Sequence, residues 1–243
     1  MCWSMEASIG MVAAGIGATA FTFARGEPPA IWLTLGCFAV MEALQVAGYA
    51  VVDQCGTTAN RSVTVLSYLH IVFQPFFINA FALELVPGAV RRRARVAVFS
   101  VCAVSSLVML AQIIPSPWFG VCQPGSVLCA ERWCTVSGDW HIAWDVPYNG
   151  LMLRAEQIFG TQSGFPTYMI AAFILPLVYG AWRFVIVHAV AGPLLAASLT
   201  SDPNEMPAIW CLFSIAILVI GLSPLVRQSV STKRWWGRSL DAT

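Results

Sequence analysis

Residues 28–51 run PPAIWLTLGCFAVMEALQVAGYAV and residues 62–85 run SVTVLSYLHIVFQPFFINAFALEL, with only VDQCGTTANR between them. A helix needs about 20 mostly apolar residues to cross the hydrocarbon core of a bilayer, and each run exceeds that. Backbone in lipid must satisfy its own hydrogen bonds, so each run is read as a helix, and the short connection makes the two antiparallel neighbours. Near their middles stand two ionisable groups, Glu42 and His70. At 1.5 Å per residue both lie roughly 12–14 Å below the boundary where the connection emerges. The spacing predicts that Glu42 and His70 meet.

Outward from this pair the pattern continues. Apolar segments at 4–24, 96–114, 165–182, 184–200 and 206–225 bring the number of spans to seven. One helix over 165–200 would be about 54 Å long, so a turn at 180–183 is expected to divide it. Basic residues collect in cytoplasmic loops. Arg91, Arg92, Arg93 and Arg95 fall between the third and fourth spans, and Arg227, Lys233, Arg234 and Arg238 in the tail. Seven crossings put both clusters in the cytoplasm and the N-terminus outside. The expected fold is an all-α polytopic bundle of about seven transmembrane helices, one domain over 1–243, in a cell membrane. Residues 115–164 are then an extracytoplasmic loop, with a short interfacial helix at 151–159. Residues 226–243 are a basic cytoplasmic tail, anchored at the interface by Trp235 and Trp236. The first apolar run has no basic region before it, so no cleavable signal peptide is expected.

Composition agrees. Only 10% of residues are charged and mean hydropathy is +0.73, whereas about a quarter of a soluble domain is charged. A formal net charge of +1 leaves no electrostatic footprint for nucleic acid. The expected surroundings are the lipid bilayer and, for an assembly role, a membrane-protein complex.

Helical spacing extends the Glu42–His70 pair. Glu42, Gln45 and Tyr49 share one face of the second span, and Ser67, His70 and Gln74 one face of the third. His188, in the sixth span, falls level with Gln74. A carboxylate beside a histidine can relay protons, tune the ring or hold a metal-bound imidazole, and His70 with His188 supplies candidate ligands for a transition metal or haem. The plainer reading is a hydrogen-bonded seam that locks helices together. Glu84, near the inner end of the third span, is expected to reach Arg91 or Arg92.

The outer segments carry Cys55, Cys122, Cys129 and Cys134, disulfide candidates with three possible pairings. Cys2 would offer an exposed thiol beside the terminal amine. Asp139, Trp140, His141, Trp144 and Asp145 crowd carboxylates, an imidazole and indoles into a few residues. His141 and Glu205 are placed at the mouth of an outward-facing site. Glu205 also reads as part of a capping box begun by Asp202.

Lys233 is the only lysine and lies in the tail, so a retinal Schiff base inside the bundle is excluded. No phosphate-binding loop, dinucleotide fingerprint or nucleophile elbow occurs. The residues support an outward-facing site, with Glu42 and His70 at its centre and Gln45 and Gln74 around them. It would bind a small or lipid-like ligand or a metal or haem cofactor, with catalysis open. A non-enzymatic assembly subunit or a transporter is the alternative. Met1-Cys2-Trp3-Ser4, Gly138-Asp139-Trp140-His141 and Pro203-Asn204-Glu205-Met206-Pro207 resemble segments of an uncharacterised family of bacterial integral-membrane proteins that begin MCWS. That resemblance implies a multi-spanning fold and a bacterial inner membrane, and it carries no catalytic residue.

Overall fold

The computed structural model describes residues 3–160, 162–211, 213–235 and 238–239. Cys2 and Trp236 lie outside the described residues. Helices α1 (Met5–Ala24), α2 (Pro29–Ala50), α3 (Thr58–Glu84) and α4 (Gly88–Gln112) follow one another through short turns. Prolines open α2 and α4, and the Ser4 and Thr57 hydroxyls cap α1 and α3. A Cβ on Gly15 would come within 2.7 Å of the Ala39 Cβ, so small residues bring α1 and α2 into close contact.

After α4 the chain makes an antiparallel hairpin, β1 (Cys134–Ser137) with β2 (Ile142–Asp145), and the short helix α5 (Leu153–Phe159). Then come α6 (Pro166–Val178), α7 (Trp182–Leu199), α8 (Met206–Leu222) and α9 (Pro224–Val230). Five helices, α1–α4 and α7, are long and apolar enough to cross a membrane, or up to six if α8 and α9 form one bent span. Helix α6, expected as a full span, is a shorter apolar helix. Helix α8, expected as a span over 206–225, ends at Leu222, because Pro224 cannot continue the hydrogen-bond ladder and the chain bends there. Exposed apolar side chains such as Val96, Val104 and Leu107 on α4 form the kind of surface that lipid covers.

The loops gather into two groups. In one, the Trp3 amide bonds to the Trp140 carbonyl, the Asp53 amide to Thr135 and the Trp144 amide to Asn204. The other group joins Arg227 to Glu27, the Thr232 amide to the Leu85 carbonyl and Arg183 to Ser229. The hairpin corrects the all-α expectation. It is short and stapled to the helices rather than exposed. Asn60 donates to the carbonyls of Val51 and Thr135 and accepts from the Thr135 amide. Asp53 accepts from the Ser137 amide and hydroxyl.

Helix α5 forms within the expected stretch 151–159. Its apolar Ile158 is exposed, while Glu156 is buried and accepts from the Gly164 amide at 2.5 Å. The four disulfide candidates form two bridges, Cys55–Cys134 and Cys122–Cys129.

Candidate functional site

Two widened helical turns shape the middle of the molecule. Ile170–Ile174 in α6 and Val190–Leu194 in α7 are π-helical. Pro176 and Pro193 lie in or just beyond these turns, and each removes a backbone donor from the ladder. Between α6, α7 and α8 sits His188, fully buried, with its ring stacked between Phe173 at 4.4 Å and Phe213 at 4.1 Å. The Trp210 indole N–H, which can only donate, bonds to His188 Nε2 at 3.2 Å. The neutral ring therefore carries its proton on Nδ1. That nitrogen lies toward the Ala172 carbonyl, which Pro176 cannot bond, and makes no hydrogen bond of normal geometry. Gly192 is required beside it, since a Cβ there would collide with Trp210 Nε1.

His188 and Trp210 line a cavity of about 380 Å³. Its walls are mostly apolar, including Phe38, Ile71 and Met109, and Val127 and Leu128 of the long loop lie at its loop-side end. Tyr168 and Gln74 add polarity. The Tyr168 hydroxyl donates to Gln74 Oε1 at 2.9 Å, and the Gln74 amide faces His70 Nδ1 at 3.4 Å. His70 Nε2 in turn donates to the Cys37 carbonyl at 2.8 Å. The direction of these bonds settles the His70 tautomer and leaves its Nε2 lone pair unavailable to the Cys37 thiol 3.3 Å away.

The predicted Glu42–His70 contact is absent, and this corrects the central expectation. Glu42 turns toward α1 and α8, where Oε1 accepts from the Ser214 hydroxyl at 3.1 Å beside Gly15 and Leu218. His70 lies in a separate groove between α2 and α3 with Cys37, Leu66 and Phe73. Gln45 joins neither, donating to the Ala208 carbonyl. A metal or haem held by His70 and His188 together does not fit. The first is tied to a backbone carbonyl in the α2–α3 groove, and the second is stacked among aromatic rings. Among the described residues no three His, Cys, Asp or Glu side chains gather as a metal site.

The elements at the hairpin end converge instead on Glu205. Its Oε1 accepts from the Trp140 amide at 2.6 Å and from the His141 amide, and Oε2 accepts from the Thr200 hydroxyl at 2.5 Å. The carboxylate is fully buried. The capping-box expectation is thereby overturned: the side chain reaches the turn between β1 and β2, and Asp202 accepts from the Asn204 amide instead. Gly138 starts that turn, and a Cβ there would lie 2.6 Å from Glu205 Cδ.

His141 is buried against Trp3 and Tyr49. Its Nδ1 accepts from the Ile142 amide at 2.8 Å, and burial lowers its pKa to about 3. Burial also raises the Asp145 carboxyl, which Asn204 partly offsets by donating to it at 2.8 Å. His141 and Glu205 thus fasten the hairpin end of the bundle, with no open mouth between them.

A family of unknown function (DUF5765) matches residues 6–231. The chain belongs to that family. No curated protein and no solved structure matches the chain. Of the segments that carried the resemblance, Trp3, Trp140, His141 and Glu205 are in mutual contact through stacking and hydrogen bonds. Sequence reading had singled out Gln74 and His188 but not Tyr168, and it gave Trp210 no role. The only signal for Tyr168 was a hydroxyl-bearing aromatic one turn into α6, beside Pro166.

Proposed function

We propose that the chain is a seven-crossing membrane protein, N-terminus outside, that binds one small or lipid-like, mainly apolar molecule in its central cavity. The observation that carries this reading is the cavity of about 380 Å³ with Gln74, Tyr168, His188 and Trp210 in an otherwise apolar wall. Ligand sites are commonly clefts of about 300–1,000 Å³, largely apolar with a few convergent polar groups. The loop-side end, bordered by Val127, Leu128 and Ser163, supports entry from the outer side. The two groups of loops support alternating crossings, with α6 and α8 as the remaining spans and the arginine-rich end in the cytoplasm. A bacterial inner membrane suits this arrangement. His188 Nδ1–H favours a ligand that carries a hydrogen-bond acceptor such as a carbonyl or ether oxygen, while the Tyr168 hydroxyl, whose proton goes to Gln74, can only accept from it.

Mass spectrometry of organic extracts from the detergent-purified full chain tests the reading. One apolar species bound at near-stoichiometric level is expected. Its amount should fall severalfold in Gln74→Leu and in the cavity-narrowing Cys211→Leu, each measured well below its own melting temperature, which the lost Tyr168 acceptor and the added bulk lower by a few degrees. Bulk lipid alone, in equal amount across all three proteins, would overturn it.

A further inference from the structure

At the end of the bundle opposite the hairpin, the first turn of α2, the last turn of α3 and the start of α4 enclose a cleft of about 680 Å³. Arg91, Arg92 and Arg95 line it, and Leu33, Leu83 and Phe99 form its apolar side. Among the described residues Glu84 is the one acidic residue lining the cleft, and it is bonded to Arg91. The nearby Glu27 is held by Arg227 through two hydrogen bonds and is not free to compensate. Among the described residues Arg92 and Arg95 have no carboxylate partner.

Helix α4 starts at this point with Pro87 as N-cap and no side-chain cap. The Arg92 guanidinium lies over that start, 3.5 Å from where a Gly88 Cβ would stand. An anion seated in the cleft meets the guanidinium groups of Arg92 and Arg95, which have no carboxylate partner among the described residues. Arginine forks match phosphate oxygens geometrically. A soluble anion would use the charge but leave the apolar side bare, whereas a phospholipid uses both.

We propose that this cleft binds the phosphate of an anionic phospholipid, with an acyl chain along Leu33 and Phe99. Basic pockets between membrane helices are suited to anionic head groups, and each basic residue near the surface strengthens attraction roughly fivefold. The test uses the full chain in detergent micelles, titrated with phosphatidylglycerol, phosphatidylcholine or inorganic phosphate, and followed by native mass spectrometry. Preferential retention of phosphatidylglycerol is expected. Arg92→Gln with Arg95→Gln should weaken it about thirtyfold, and Arg92→Lys with Arg95→Lys should restore most of it. The control Arg154→Gln, on the other group of loops, should change nothing. Equal retention of the two lipids, equal competition by inorganic phosphate, or full retention by the glutamine pair at unchanged melting temperature would overturn the proposal.

Discussion

Replacing Glu205 by alanine should be among the most damaging single changes in the chain. The carboxylate satisfies two backbone amides, Trp140 and His141, and the Thr200 hydroxyl, all in a buried site. A buried donor stripped of its acceptor costs about 1–3 kcal/mol, so the two amides together cost about 4 kcal/mol, while the hydroxyl can turn elsewhere. For a chain of this size that corresponds to a melting temperature lower by roughly 8–16 °C. Glu205→Gln keeps an oxygen facing both amides, and its NH2 can donate to Thr200, so it should cost about 1–2 kcal/mol. Thermal unfolding of the purified protein without reductant, followed by circular dichroism, measures both. An alanine variant within about 3 °C of the parent would refute the fastening. So would a glutamine variant as unstable as the alanine one.

The other expectations concern the same end of the molecule. Gly138→Ala places a Cβ against Glu205 Cδ and the His141 carbonyl, both at 2.6 Å, and should cost about 1–3 kcal/mol as overpacking, read in the same melting assay. Loss of the Cys55–Cys134 bridge in Cys55→Ser with Cys134→Ser removes a link across a sequence separation of 79. The chain-entropy relation puts that at about 4–5 kcal/mol, and reductant should lower the parent toward the variant. His141 is held at a pKa of about 3 by burial, against about 6.5 unfolded. Below about pH 6.5 the unfolded chain binds the extra proton, so stability falls as pH drops, by about 1.4 kcal/mol per unit until about pH 3, and is unaffected above. In His141→Asn that contribution to the slope should vanish between pH 6 and 4, and an unchanged slope would contradict the assignment.

Hydrophobic run length was enough to place most of the helices, because an uninterrupted apolar segment has few alternatives. Depth was legible too. Thr34 lies beside Phe77 and Val51 beside Asn60, which puts His70 about level with Met41, next to Glu42. Azimuth was not legible. At 100° per residue Cys37 and Glu42 stand about 140° apart on α2, so the imidazole at Cys37 and the carboxyl at Ser214 face different neighbours. Which side of a nearly all-apolar helix meets protein and which meets lipid leaves little mark on hydropathy, since both are apolar. The hairpin escaped notice because its alternation is only four residues long. Glu205 misled because the spacing that suits a capping box also suits a long-range acceptor, and only tertiary structure chooses between them.

The fastening has a consequence for biogenesis. The amides of Trp140 and His141 leave the ribosome before their acceptor, with 64 residues separating His141 from Glu205. At about 5–20 residues per second, that interval lasts roughly 3–13 s. Throughout it the hairpin has emerged without its anchor, and α6 and α7 must be threaded before the acceptor arrives. Final closure of the hairpin end therefore waits on delivery of α8. A nascent chain stalled short of residue 205 should stay open to proteases and thiol reagents there, although all four disulfide-forming cysteines have already been made.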